Sequence, residues 1–422
     1  MPTLMVAGTT LLAFALILTE PLLNHVSLLN YPLLFGAGAD GARGMLTAIA
    51  GSMITVAGLI FSLTLSTLAQ VSSQYTSRVL HNFMRDRANQ VVLGFFVSIF
   101  AYCIIVLRTI RGGDEGRFIP SLAVGIGLLL ALMSIGVLIF FIHHMASSIQ
   151  AGNIVRNATE ETEAAITRLF PDELGEEASD AEVEELLRQA GQLTWQPVLS
   201  TAMGYVQSID EDGLLDLACA LPGVVRLEHG IGGFVARRAV LLSVAVYAGS
   251  PLALPTDLTD QVNALFSLSR QRTIEQDAEF GLRQMVDIAL KALSPGINDT
   301  TTAIICIDHL GALLAQLADR QLPRPLRVAG QQVRLIAVRP SFEGFVTSAF
   351  DQIRVSAEAN LRVYLRLLTA LATVAQRTQH PQRIATLLQQ ADLISEAAQR
   401  TLATAYERDQ VRERRAGLLP GG

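Results

Sequence analysis

The sequence predicts an α-helical membrane domain of four transmembrane helices, followed by a mixed α/β cytoplasmic region with a small β-domain and long helices. Three observations carry that expectation. The long apolar runs are confined to the first 150 residues, while only 17% of the whole chain is charged. A soluble chain averages roughly 25% charged residues, so the deficit marks a bilayer segment. Residues 198–250 alternate β-branched and polar side chains between glycines, which is the period of strands. From 257 onward the apolar period is mainly helical.

Each span needs about 20 apolar residues, at 1.5 Å rise, to cross about 30 Å of hydrocarbon. The first runs over 3–23, where Glu20 and Pro21 interrupt it and belong near an interface. It has no basic stretch ahead of it, so a cleaved signal peptide is not expected. The second covers 46–70, the third 90–110, and the fourth 119–142, ending at His143 and His144. Four spans return both termini to one side. Arg78, Arg85 and Arg87 lie between spans two and three, and Arg156 and Arg168 follow span four. Arg43 precedes span two, and Arg108, Arg111 and Arg117 lie between spans three and four. This bias leans towards cytoplasmic termini.

The expected divisions are a transmembrane domain at 1–149, a helical connector at 150–197, a small β-domain at 198–256 and a helical domain at 257–422. Residues 150–170 are expected to continue span four as a helix, and the acidic run 172–187 to be a solvated connection. Residues 257–320 read as helical, with a short β insertion near 327–340. Helices are expected again from Ser341 to about Gln376 and from Pro381 to Arg415.

Composition excludes several functions. The net charge of −6 argues against a nucleic-acid partner. Lys291 is the only lysine and has no phosphate-binding glycine pattern around it. Cys103, Cys219 and Cys306 are odd in number and widely spaced, as suits a reducing compartment. Cys306 and His309 can share a helical face, but two ligands do not make a zinc site. No nucleophile stands beside a recognisable base, so no catalytic residue, metal or cofactor is expected.

Span two carries the main candidate. Ser52, Thr55, Ser62, Ser66, Gln70 and Ser73 fall at spacings of 3, 7, 4, 4 and 3, which keeps them on one helical face. Such a stripe can line water, or it can pack against a neighbouring helix. Arg78, Arg85 and Arg87 beyond it can anchor to headgroups or form a cationic vestibule. In the soluble part Asp277, Arg283, Asn298 and Asp299 can converge into a polar pocket, although Asn298 or Asp299 also suits a helix cap.

The stretches "ALSPGINDTTTAIICIDHL" (292–310), "AGSMITVAGLIFSLTLSTLAQVSSQYTSRVLHNFMRDRANQVVLG" (50–94) and "YVQSIDEDGLLDLA" (205–218) resemble the bacterial predicted-membrane-protein family called domain-of-unknown-function 2254. The resemblance covers nearly the whole chain. It implies a bacterial integral membrane protein with the membrane part first, and it implies no activity. The leading expectation is a homo-oligomeric inner-membrane channel for ions or small solutes, with span two at the centre and a cytoplasmic regulatory domain. The alternative is a non-conducting signalling or scaffold protein that binds a ligand or partner through its cytoplasmic domain.

Overall fold

The computed structural model describes residues 1–23, 38–74, 87–112, 118–148, 150–170, 194–221, 223–246, 255–274, 276–323, 326–329 and 332–418. The chain divides into two compact units, Met1–Ile154 and Val155–Gly422.

The first unit holds the four expected helices: α1 (Pro2–Leu23), α2 (Ala39–Gln74), α3 (Arg87–Thr109) and α4 (Ser121–Ser148). Each is an apolar run long enough to satisfy its own backbone hydrogen bonds in hydrocarbon. Pro21 does not end α1, which continues to Leu23. The hub is α3, whose Val92, Phe96, Ile99, Tyr102, Cys103 and Val106 are buried. Gly94 lets α1 approach closely, since a Cβ there would lie 2.9 Å from Pro2 Cα. The Tyr102 hydroxyl donates to the Ala123 carbonyl at 2.7 Å and ties α3 to α4.

One end of this unit is stitched by polar bonds. Glu20 is only 9% exposed. Its Oε1 accepts from the Ser121 amide at 2.7 Å and its Oε2 from the Leu122 amide at 3.3 Å. A carboxylate from α1 thus caps the N-terminus of α4, where unpaired amides and the helix dipole favour negative charge. At the same end Arg43 Nη2 donates to the Ile110 carbonyl at 2.8 Å, closing the C-terminus of α3. The α1 C-terminus and the α4 N-terminus therefore meet, as do the α2 N-terminus and the α3 C-terminus. The four helices run alternately up and down.

The expected count of four spans needs correction. Among the described residues five helices are long and apolar enough to cross a membrane, and the fifth is Thr300–Ala318 in the second unit. Of its most apolar stretch 61% is buried within the protein, against 44% for α3 and 6% for α1. The continuous helix expected beyond span four is also broken. Helix α4 stops at Ser148 and α5 (Ala151–Leu169) starts anew. There the Asn153 side chain donates to the Ser147 carbonyl at 2.6 Å, a local bond that competes with helix continuation.

In the second unit the strands expected over 198–250 form as β1 (Trp195–Leu199), β2 (Gly204–Ile209), β3 (Gly223–Leu227), β4 (Phe234–Val235) and β5 (Val240–Val246). However, β1 begins inside the expected connector, and β3 and β5 are buried almost throughout instead of alternating. A helix missed in the sequence, α6 (Glu211–Ala220), lies among them, capped by the Asp210 side chain on the Gly213 amide. The region read as purely helical contains α7 (Leu258–Ala264), then β6 (Phe266–Ser269), then α8 (Ala278–Leu293) and α9 (Thr300–Ala318). The strand forms because Phe266–Ser269 pairs antiparallel with β2, and tertiary pairing overrides the local helical period. Strands β7 (Leu326–Ala329) and β8 (Gln332–Ile336) form a hairpin, and β8 pairs parallel with β3. They complete a five-stranded sheet in the order β1-β5-β3-β8-β7, beside a three-stranded sheet in the order β4-β2-β6. The β insertion is thus part of the small β-domain's own sheet.

The unit ends in α10 (Phe342–Ser356), α11 (Leu361–Ala375), α12 (Pro381–Thr401) and α13 (Ala405–Ala416). The stretch from Ser341 to Gln376 breaks at Ala359, which has φ 59°. Helices α9 and α11 run parallel. Thr300 meets Asn360, Asp308 meets Arg366, Gly311 lies against Ala370 and Asp319 meets Arg377. Helix α5 crosses α8 at Gly281, where a Cβ would lie 2.1 Å from Thr162 Oγ1.

The cap supplied by Glu20 makes a direct test. Glu20→Ala should destabilise the full-length protein in detergent by about 1 kcal/mol, the usual scale of a lost N-cap. Glu20→Gln retains an acceptor and should cost less. Thermal unfolding of both variants checks this: equal losses would assign the effect to the charge alone, and unchanged stability in both would remove the cap from the account.

Candidate functional site

The stripe on α2 is built by helix periodicity. Leu46, Ala50, Met53, Ala57 and Ile60 recur at steps of four and three and, with Ile49 beside them, are buried against the unit's interior. That choice of inner face sends Ser52, Thr55, Ser62, Ser66 and Gln70 outward, and all of them are exposed. Ser73 lies within α2, but its side chain is outside the described residues. Thr67, which is not part of the expected stripe, turns inward and is 3% exposed.

The stripe is not covered by its own protomer, and its backbone is accessible. Gly44, Gly51 and Gly58 recur every seven residues along the outward side, and a Cβ at each would meet nothing within 4 Å. Part of the polarity is satisfied locally. The Ser52 hydroxyl donates to the Ala48 carbonyl and the Thr55 hydroxyl to the Gly51 carbonyl, each at 2.8 Å. Ile54, Leu63 and Leu65 flank the stripe and are also exposed, so a polar band lies between apolar margins.

The cationic positions are partly visible. Arg87 opens α3 and is exposed, whereas Arg78 and Arg85 lie outside the described residues.

The four soluble candidates are not brought together. Asp277 caps the N-terminus of α8, accepting from the Phe280 amide at 3.0 Å. Asn298 and Asp299 follow the far end of the same helix. Its 16 residues span about 24 Å at 1.5 Å each. Arg283 lies between them and pairs with Asp287 at 3.0 Å on its own helix. The partner of Asp277 is Arg272, whose Nη2 lies 2.7 Å from Oδ2 and whose guanidinium sits 5.2 Å from the Phe280 ring centroid. Gly232, at φ 80°, passes directly over this pair, and a Cβ there would lie 2.4 Å from Asp277 Oδ2. The pair therefore clamps the glycine loop of the β-domain onto α8. Sequence reasoning missed Arg272, although its place five residues before a helix cap was a usable signal.

The other end is a capping device. Asn298 adopts φ 49°, a left-handed conformation that asparagine tolerates. Asp299 accepts from the Thr302 amide at 3.0 Å and from the Thr302 hydroxyl at 2.6 Å. The hydroxyl and then the amide of Thr302 hold the Asp299 carboxyl below its ordinary range, and burial opposes them. Asn360 caps α11 in the same way and donates to Thr300 Oγ1 at 2.8 Å, so the two parallel helices begin side by side. Among the described residues no cluster of three or more metal-ligating side chains occurs.

The Asp299 bonds exist only in the folded chain. Their contribution is complete above the unfolded carboxyl value of about 3.9 and is lost as pH falls through the lower folded value. Asp299→Asn should keep neutral-pH stability within about 1 kcal/mol, because asparagine caps about as well. It should also flatten the loss of stability below about pH 4. Thermal unfolding at neutral and acidic pH measures both, and an unchanged acid slope would remove Asp299 from the account.

Comparison with known proteins matches residues 1–373 to the family described as "Predicted membrane protein (DUF2254)". An uncharacterized protein of Mycobacterium bovis is 36% identical over 382 residues, which is 90% of this chain and 72% of that protein. An uncharacterized protein of Mycobacterium tuberculosis matches with the same identity and coverage. No solved structure matches the chain. Several helices long and apolar enough to cross a membrane, the motifs quoted from 50–94, 205–218 and 292–310, and a family match over 1–373 agree, and this chain belongs to the DUF2254 family of predicted membrane proteins.

Proposed function

We propose that the protein is a homo-oligomeric channel for ions or small solutes in the bacterial inner membrane, with α2 of each copy facing a shared aqueous path. The observation that carries this reading is the outward polar stripe of Ser52, Thr55, Ser62, Ser66 and Gln70, which its own protomer leaves uncovered. Hydroxyl and amide groups at membrane depth favour protein or water over lipid. Glycines at 44, 51 and 58 give neighbouring helices room to approach along the same side.

In this reading α1 to α4 cross the bilayer and α9 does not. Helix α9 carries Asp308 in a bidentate pair with Arg366, and lies so close to α11 that a Cβ at Gly311 would be 2.9 Å from Ala370 Cβ. The arginine distribution favours a cytoplasmic N-terminus and a cytoplasmic region over 150–422, which would regulate the path. Arg87 then lies at the cytoplasmic mouth, with Arg78 and Arg85 in the adjoining connection.

The local bonds of Ser52 and Thr55 favour a second reading. Their hydroxyls are satisfied by their own helix, so the stripe also suits dry packing in a non-conducting scaffold.

Two experiments separate these readings. Ser62→Leu with Ser66→Leu should narrow and dewet a path, so flux in reconstituted vesicles should fall several-fold while the oligomer persists. Ser62→Cys should react with a small charged thiol reagent in a Cys219→Ser background, because Cys219 is exposed whereas Cys103 and Cys306 are buried. An unreactive Ser62→Cys, together with a leucine pair that only dissociates the oligomer, would favour the scaffold. Topology has its own check. A reporter fused after Gly422 should register the cytoplasm, and a periplasmic signal would overturn the orientation.

A further inference from the structure

We infer that one tip of the small β-domain binds an anionic phospholipid surface. The three-stranded sheet places three chain segments side by side at this end. Gly204 pairs with Val235 on β4, and Tyr205 pairs with Phe234 on β4 and with Ser269 on β6. Met203, Arg237 and Arg270 therefore emerge close together just beyond the paired residues. Met203 is 65% exposed and Phe234 52%, and Leu199 beside them is 41% exposed. Arg237, Arg238 and Arg270 are also exposed, and none forms an ion pair among the described residues. The segments 199–206, 230–240 and 264–272 contain no aspartate or glutamate, in a chain whose net charge is −6.

The tip is held rigid. The Tyr205 and Phe234 rings meet edge to face at 5.1 Å, which fixes the exposed phenylalanine. Ser200 is 2% exposed, its amide donates to the Ala239 carbonyl at 2.8 Å, and its carbonyl accepts from the Arg238 amide at 3.0 Å. Those bonds keep Arg238 at φ 66°, a conformation that costs a non-glycine residue energy. Buried backbone bonding thus presents an arginine pair beside large apolar side chains.

Apolar groups flanked by arginines, with no acids, complement the boundary between anionic headgroups and acyl chains. The chain belongs to a membrane-protein family, so a lipid surface is present at high effective concentration. A second copy presenting the same tip would set arginines against arginines. This inference is independent of whether α2 conducts.

The test uses the full-length protein in lipid nanodiscs. Ala202→Cys, an exposed position within the tip, carries a polarity-sensitive fluorophore in a Cys219→Ser background. In discs of phosphatidylcholine with phosphatidylglycerol the emission should shift to the blue, and a lipid-tethered quencher should reduce it. The shift should vanish in phosphatidylcholine alone, in high salt, and in Arg237→Glu with Arg270→Glu, a pair that leaves the strained Arg238 in place. Unchanged thermal unfolding of the charge-reversed protein confirms that the loss is not misfolding. If the charge-reversed protein unfolds early, Met203→Ser supplies the alternative loss of shift. Identical emission in both lipids would overturn the inference. A shift that also occurs in detergent and grows with protein concentration would assign the tip to a second copy instead.

Discussion

Hydrocarbon offers no hydrogen bonds, and this constraint orders the membrane unit. Helices meet it along their lengths but not at their ends, where four amides and four carbonyls lack intrahelical partners. The protein answers with long-range side chains. Glu20 spans from α1 to the first amides of α4, and Arg43 reaches from α2 to the carbonyl past the end of α3. The same rule explains the buried Tyr102 hydroxyl, which closes onto the Ala123 carbonyl. Because these bonds join helix ends, they fix the order in which the helices stand around α3. Asn89 is an exception, since its buried Oδ1 has no partner among the described residues.

The polar stripe on α2 follows from how that constraint is met elsewhere. Leu46, Ile49, Met53 and Ile60 of α2 pack towards the hub together with Ala50, Ala57 and Thr67, and helix periodicity then places Ser52, Thr55, Ser62, Ser66 and Gln70 on the outward side. A serine that bonds its own i−4 carbonyl costs little in lipid, yet it keeps lone pairs for water or a neighbouring helix. Exposed glycines on the same side lower the steric barrier to close approach. The proposed path and the scaffold alternative therefore share one surface and differ in whether that surface is wet.

The second unit solves a different problem, which is to join two kinds of secondary structure into one body. Its sheet is completed by strands more than a hundred residues away in sequence, with Val225 opposite Leu335. The Arg272–Asp277 pair clamps the loop at Gly232 against the start of α8, and the bidentate Arg339–Glu211 pair joins the chain after β8 to α6. Both are partly or largely buried, where removing one partner leaves an unpaired charge. Their value lies in fixing how the sheet meets the helices.

The sequence by itself determined what depends on local chemistry. Apolar length set the four helices of the first unit, and residue spacing placed the hydroxyls on one face. The polar side chains Ser341 and Asp299 marked helix starts that the structure bears out. Tertiary structure decided what depends on partners distant in the chain. The inward side of α2 was chosen by α3, and the apolar run 300–318 became a helix buried in the second unit because α8 and α11 cover it. Phe266–Ser269 became a strand because β2 was there to pair with it. Asp277 and Asp299 read as residues able to converge into one polar pocket, but a rigid helix holds them apart, and Asp277 pairs with Arg272 instead. Local propensity is set by a few adjacent residues, whereas these choices follow from shape and pairing between surfaces that exist only once the chain has folded.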